Sequence, residues 1–187
     1  MESDSNRKLA VIFPGMGYNT YGPLLYYSGK LAKADGYELK LDIEYHDLPQ
    51  KIRGDLNLMQ EAASKAYECV EAQLSGIDWT AYKDILFIGK SIGTVVAGKY
   101  NKEHKIGGKQ IWYTPVEATF KNADGTIEAF IGDADPWSDI EKVKELAVSS
   151  GIPLHIYPGC NHSLESGDII ADIRTISDVM EKTRNIL

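Results

Sequence analysis

Three side chains in this 187-residue sequence could together activate a nucleophile: Ser91, Asp135 and His162. A serine hydroxyl attacks a carbonyl readily only when a base accepts its proton, and histidine, with an ordinary pKa of about 6.5, can do so near neutral pH. A carboxylate on the other ring nitrogen holds the imidazole in the correct tautomer and stabilises its charged form. The order serine, acid, histidine along the chain is that of one known catalytic-triad architecture. We therefore take these three as candidate catalytic residues.

Ser91 lies within residues 89–93, which match the pattern G-x-S-x-G. An apolar run with strand character precedes the motif at 84–88, and a helix of small residues follows it. This context is typical of a nucleophile elbow, a sharp strand-to-helix turn that holds the serine clear of the sheet. The glycines would leave room where strand and helix cross closely. The alternative is an ordinary turn in which Ser91 caps the helix, and the positions of the acid and the histidine favour the elbow.

Each of the three candidates follows its own predicted strand. Hydrophobic patterning predicts strands at 9–13, 38–45, 84–88, 110–113, 127–131 and 154–157, and helices at 21–35, 56–74, 139–149 and within 164–187. This alternation predicts an α/β fold, a three-layer α/β/α sandwich with a mostly parallel six-stranded sheet. Because reactive groups gather at the carboxyl ends of parallel strands, we expect the three side chains to meet at that edge.

The sequence allows more specific predictions for three segments. The strand at 38–45 alternates apolar with charged residues, which places it near a sheet edge. The link at 114–126 is short, so any lid must be small and come from there. The closing helix is expected to bury one apolar stripe, made of Ile169, Ile173, Ile176, Val179 and Met180.

Other residues compete for the same roles. His46 follows the second predicted strand and could reach the edge of a cleft, whereas His155 lies within a strand and is expected to pack. Asp133 is an alternative acid, or it caps the turn after its strand. Cys160 lies two residues before His162 and could be a thiol nucleophile, but sequence adjacency is not what such a pair requires. We favour a small loop residue for Cys160.

Composition narrows the possible classes of protein. The net charge of −7 argues against nucleic-acid binding, which needs a basic surface. No apolar run is long enough to cross a bilayer, so we expect no membrane partner. Residues 1–8 are polar and are expected to form a mobile tail on a single domain covering 1–187, in a cytoplasmic protein. The two cysteines form no C-x-x-C pair, and no metal or organic cofactor is expected.

Four motifs make nearly the whole chain resemble the α/β-hydrolase superfamily, in the small single-domain form of its dienelactone-hydrolase-like and small esterase branches. They lie at residues 13–17, 89–93, 132–136 and 159–163. The resemblance implies that Ser91 is the nucleophile, Asp135 the acid and His162 the base. It also implies an oxyanion hole made by the backbone N–H groups of Met16 and Ile92.

The sequence departs from that family in two respects. Many members carry His-Gly where this chain has Pro14-Gly15, although backbone oxyanion donors do not depend on that side chain. The two N-terminal strands and the large cap of bigger members are absent. We therefore expect a minimal version of the fold with an open cleft.

These observations predict a serine hydrolase that cleaves a carboxylic ester or thioester through an acyl-enzyme intermediate. The alternatives are a non-catalytic binding protein with a hydrolase fold, and an acyltransferase or lyase on the same scaffold. A small-molecule substrate is expected, and few basic residues apart from Lys90 lie near the motifs, which disfavours a highly anionic one. The chain is expected to be a monomer or a small homo-oligomer. Substrate-pocket candidates, with core packing as the alternative for each aromatic, are Tyr18, Asn19, Tyr113, Trp137 and Leu164.

Overall fold

The computed structural model describes residues 7–37 and 39–187 of the chain. Most of the tail expected at 1–8, and Glu38 of the expected second strand, lie outside the described residues. Lys8 belongs to the first strand rather than to a tail, and the Arg7 carbonyl accepts a hydrogen bond from the Lys83 N–H at 2.9 Å. The first strand therefore begins one residue earlier than the sequence pattern suggested.

Strands and helices alternate along the chain as predicted. The strands are β1 (Lys8–Phe13), β2 (Leu39–Asp42), β3 (Asp84–Lys90), β4 (Lys109–Tyr113), β5 (Ile127–Gly132) and β6 (Leu154–Tyr157). The α-helices are α1 (Pro23–Ala34), α2 (Leu56–Leu74), α3 (Ile92–Glu103), α4 (Ile140–Ser150) and α5 (Ile169–Arg184). Short 3₁₀ helices cover Trp79–Ala81 and Glu117–Asn122.

The six strands form one sheet in the order β2-β1-β3-β4-β5-β6, and all neighbouring pairs are parallel. The predicted six-stranded α/β architecture is confirmed, with β2 at an edge. The strand order reverses between β1 and β3, because the chain runs outward to β2 and then returns to the other side of β1. Loops after these two strands diverge at such a switch point and leave a crevice at the carboxyl ends.

Alternation along the central strands divides the core into two layers. Leu9, Val11 and Phe13 of β1 pack with α2 and α3, and Ala10 and Ile12 pack on the other side with α1 and α5. Such two-sided burial explains why β1 and β3 read as continuous apolar runs. Helix α4 covers the far end of the sheet on the α2/α3 side.

The link at 114–126 does not form a lid. Its 3₁₀ helix packs against α3 and buries Thr119 and Phe120. The Thr119 hydroxyl contacts the Thr94 hydroxyl of α3 at 2.7 Å. The segment therefore belongs to the core rather than to the entrance of the site.

Two expected elements differ in extent. Regular β2 pairing ends at Asp42, followed by a single hydrogen bond from the Ile43 N–H to the Ile12 carbonyl, so residues 44–45 are not part of the strand.

Helix α5 begins at Ile169, where the Asp168 carboxylate caps it by accepting from two backbone N–H groups. The predicted α5 stripe is wrong in its first half, where Ile169 and Ile173 are exposed. Its second half packs on the core with Ile176, Val179 and Met180.

Candidate active site

Ser91 occupies a strained turn between β3 and α3. Its backbone has φ 56° and ψ −123°, a conformation that a residue with a side chain adopts only when its surroundings impose it. Those surroundings are visible: the Ser91 N–H donates to the Tyr113 carbonyl at 3.0 Å, and its own carbonyl accepts from the Thr94 N–H and hydroxyl at 2.9 and 2.7 Å. The elbow geometry expected from the sequence is therefore present, and hydrogen bonds at both the N–H and the carbonyl of Ser91 hold it in place.

The two glycines of the motif sit where backbones approach closely. A Cβ atom on Gly89 would lie 2.8 Å from the Cα of Thr94. One on Gly93 would lie 2.6 Å from the Pro14 carbonyl oxygen and closer still to that of Phe13. Glycine at these two positions thus lets α3 start directly against β1 and the loop that follows it.

His162 connects the serine to the acid. Its Nε2 lies 2.8 Å from Ser91 Oγ, and its Nδ1 lies 2.7 Å from Asp135 Oδ2. The Asp135 side chain is fully buried, and its other carboxylate oxygen accepts from the Trp137 N–H at 2.9 Å. The structure therefore brings together the three residues that the sequence singled out, in one continuous chain of hydrogen bonds.

The loop after β5 (residues 133–139, the acid loop) and the loop after β6 (residues 158–168, the histidine loop) meet because β5 and β6 are neighbours. A Cβ on Gly132 would lie 2.5 Å from the Cys160 carbonyl carbon, and that carbonyl accepts from the Ala134 N–H at 3.0 Å. The Asp133 carboxylate accepts from the Gly159 N–H at 2.6 Å, so Asp133 joins the two loops rather than serving as the acid. Burial raises the pKa of the Cys160 thiol, which leaves it in the unreactive protonated form.

Residues 14–18, here called the oxyanion loop, form a tight turn beside the serine. The Gly15 N–H donates to the Tyr18 carbonyl at 3.0 Å, and a Cβ on Gly15 would lie 3.3 Å from the Ser91 Cβ. Within the described residues the Met16 N–H has no backbone acceptor. Ile92 is the first residue of α3, so its N–H has no partner within the helix. In this part of the chain, the two N–H groups expected to bind an oxyanion are therefore without a backbone acceptor.

Burial controls the charge of His162. Removal from solvent lowers its pKa below the ordinary 6.5, the hydrogen bond to Asp135 opposes this shift, and the positive charge of Lys90 adds to it. The imidazole is consequently neutral at neutral pH, which is the form that can accept a proton from Ser91.

An open cleft of about 1010 Å³ lies beside the oxyanion loop. Trp137 lines it, and the Trp137 ring packs against the His162 ring with centroids 5.6 Å apart. The facing wall is the segment 42–53, which includes His46 and Arg53. The Arg53 guanidinium lies 5.9 Å from the Trp137 ring centroid.

Most of this facing wall was not predicted from the sequence. The segment follows the carboxyl end of β2, and that position was the signal that could have identified it. Lys51 and Arg53 bring positive charge to the cleft, together with the acidic Asp42, Glu44 and Asp47. The cleft is therefore mixed in charge rather than poor in basic groups.

Three of the five substrate-pocket candidates line the cleft: Tyr18, Asn19 and Trp137. The other two are corrected by the structure, because Tyr113 and Leu164 are fully buried in the core beside α1 and α5. The Tyr113 hydroxyl contacts those of Ser28 and Thr183 at 2.7 and 2.6 Å. Alternation along β4 places Tyr113 on the same face of the sheet as Ile111, the face that α1 and α5 cover.

Two features are absent from residues 7–37 and 39–187. None of the helices there combines the length and the apolar content needed to cross a bilayer. No group of three or more His, Cys, Asp or Glu side chains in the same residues is arranged to hold a metal ion.

Comparison with known proteins supports the architecture. No protein-family model matches the sequence, and no curated protein matches it at a significant level. Solved structures do match in three dimensions. An α/β serine hydrolase homologue from Coxiella burnetii has a TM-score of 0.69 at 16% identity, covering 97% of this chain and 85% of that one.

Two other solved structures are similar over comparable lengths. An α/β serine hydrolase without a lid from Xanthomonas campestris has a TM-score of 0.60 at 14% identity, covering 98% and 83% of the two chains. An esterase from Pyrococcus furiosus has a TM-score of 0.61 at 12% identity, covering 97% and 82%. At such low identity the likeness concerns the fold alone. The arrangement of sheet, elbow and loops, together with these likenesses, is that of the α/β-hydrolase fold.

Proposed function

We propose that this protein is a serine hydrolase that cleaves a carboxylic ester or thioester through an acyl-enzyme intermediate. The observation that supports the proposal most strongly is the continuous hydrogen-bond chain from Ser91 through His162 to Asp135, next to an open cleft. A non-catalytic binding protein would not need the serine and the histidine at 2.8 Å or an acid buried behind them.

Acylation begins when the carbonyl carbon of the substrate lies against Ser91 Oγ. The oxygen attacks while its proton passes to His162 Nε2, and Asp135 stabilises the imidazolium that forms. The negative charge on the carbonyl oxygen is bound by the N–H groups of Met16 and Ile92, and losing one such donor typically costs about 100-fold or more in rate. When the intermediate collapses, the C–O or C–S bond breaks and His162 returns the proton to the departing alcohol or thiol.

Deacylation repeats the same steps with water. His162 accepts a proton from a water molecule that attacks the ester carbonyl on Ser91, and the same two N–H groups bind the second oxyanion. Collapse breaks the bond to Ser91 Oγ, which regains its proton from His162, and the carboxylic acid is released. Ser91 and His162 are only half-buried, so water can reach this step.

Covalent labelling tests whether Ser91 is activated. We would treat wild type, Ser91→Ala and Ser163→Ala with a fluorophosphonate probe and measure intact mass. Ser163 is a matched control, because it lies in the histidine loop and its side chain has no place in the proposed mechanism. One adduct on wild type and on Ser163→Ala, and none on Ser91→Ala, would support the proposal.

Absence of labelling on folded wild type between about pH 7 and 9 would refute an activated serine at this site. After positive labelling, a panel of carboxylic esters and acyl thioesters would define the acyl group. Adding competing alcohols to the same assay separates hydrolysis from acyl transfer, since only a transferase would convert them efficiently into new esters.

A further inference from the structure

Lys90 immediately precedes the nucleophile and is almost completely buried, with 2% of its surface exposed. Alternation along β3 explains this position, because Leu86 and Ile88 face α1 and α5 and Lys90 follows on the same side. Buried lysines are normally paired with an acid. Within the described residues, Lys90 Nζ instead lies over the Tyr18 ring, 5.1 Å from its centroid, and has no hydrogen-bonded carboxylate.

The Lys90 side chain runs directly beneath the oxyanion loop. A Cβ on Gly15 would lie 3.0 Å from the Lys90 Cδ, so the loop rests on the aliphatic part of the lysine. The Tyr18 ring is held in turn, because its hydroxyl accepts from the Leu24 N–H at the start of α1 at 3.0 Å. Lys90 therefore contacts both ends of the turn that presents the Met16 N–H.

The charged groups around Lys90 belong to the proposed catalytic machinery or lie next to it. The carboxylates of Asp135 and Glu165 attract its ammonium, but burial outweighs them and lowers the pKa of Lys90 to about 7. Glu165 lies in the histidine loop, where its backbone N–H donates to the Asn161 side chain. In the described part of the chain, Asp135 and Glu165 are thus the charged groups that act on Lys90, and Asp135 and Lys90 are those that act on His162.

We propose that Lys90 is a positioning residue: its buried ammonium supports the oxyanion loop and, acting through His162, keeps the imidazole neutral and ready to accept the serine proton. The effect on rate rests on the proposed function, whereas the effect on the charge of His162 does not. The Lys90 ammonium lowers the pKa of His162, and burial lowers the pKa of Lys90 itself to about 7. The ammonium is therefore lost at alkaline pH.

The test replaces Lys90 by methionine, which keeps an unbranched stem and removes the charge. By NMR, the midpoint of the His162 imidazole titration should rise by roughly half to one pH unit in Lys90→Met. In an ester assay, kcat/KM should fall about three- to tenfold near pH 6 and approach the wild-type value above about pH 8. The melting temperature should stay equal or rise, because an unpaired buried ammonium is costly.

Two further variants sharpen the result. Lys144→Met removes one positive charge on α4, where Lys144 pairs with Glu141 at the surface, and should change neither the titration nor the rate. Glu165→Gln removes an exposed carboxylate that faces Lys90, so Lys90 should lose its proton at lower pH. In the Glu165→Gln protein, the rate difference caused by adding Lys90→Met should therefore disappear at a lower pH than it does in the wild-type protein.

An unchanged His162 midpoint in folded Lys90→Met would overturn the proposal. A rate loss of equal size at every pH would also overturn it, because that result indicates packing alone. If wild type hydrolyses neither esters nor thioesters, the proposed function fails, and the NMR titration still decides whether Lys90 sets the charge of His162.

Discussion

Substitution of Gly93 by alanine would test how closely the nucleophile helix approaches the oxyanion loop. In an ordinary helix, Gly→Ala gains about 1 kcal/mol from helix propensity. Here the new Cβ would lie 2.6 Å from the Pro14 carbonyl oxygen, and relief to an ordinary contact requires a shift of roughly 1 Å. The opposing atoms are backbone, so no side chain can rotate away.

The steric cost should exceed the gain in propensity. Overpacking in a dense core typically costs about 1–3 kcal/mol, and contact with the backbone of both Phe13 and Pro14 places Gly93→Ala at the upper end. The net loss in the free energy of unfolding should therefore be about 1–2 kcal/mol. A displacement of about 1 Å between Met16 and Ser91 should also slow the reaction about 100-fold.

Urea unfolding and the rate of fluorophosphonate labelling measure the two effects separately. Gly76→Ala is the matched control, because a Cβ there meets nothing within 4 Å. It should leave the labelling rate unchanged and the stability equal or slightly higher. The close approach of α3 to β1 would be contradicted if Gly93→Ala were as stable as wild type and its labelling rate were within threefold of the wild-type rate.

The remaining predictions concern the acid, the base and a buried tyrosine. Asp135→Asn should lower kcat by about 10³- to 10⁴-fold in an ester assay. The asparagine oxygen can still accept the hydrogen bond from the Trp137 N–H. A loss of less than tenfold would contradict the role of Asp135. Because burial lowers the pKa of His162, kcat/KM should rise with pH through a midpoint below 6.5, and a midpoint at or above that value in a pH–rate profile would count against the geometry. Tyr113→Phe should cost about 1–2 kcal/mol in urea unfolding, since the Ser28 and Thr183 hydroxyls lose a buried partner, with kcat/KM unchanged. A raised KM in that variant would instead place Tyr113 at the substrate.

The sequence alone was sufficient to predict the alternation of strands and helices, the parallel sheet and the candidate triad. These features depend on local patterns and on chain order. Continuous apolar runs require burial on both faces, Gly89 and Gly93 require a close crossing, and Ser91, Asp135 and His162 each follow a strand. Parallel strands carry such residues to one edge whatever the details of packing. That is why the distances within the triad agree with the sequence-based hypothesis.

Tertiary structure decided which side each remaining residue faces. Tyr113 and Leu164 follow strands or flank the triad, yet strand register and the cover of α1 and α5 bury them. The first turn of α5 has the same periodicity as the rest of the helix, but no neighbour reaches Ile169. From the sequence, Lys90 is only a polar residue next to the serine, whereas the structure buries it beneath the oxyanion loop. Local periodicity records which residues share a face, whereas burial depends on the elements that distant parts of the chain bring against that face.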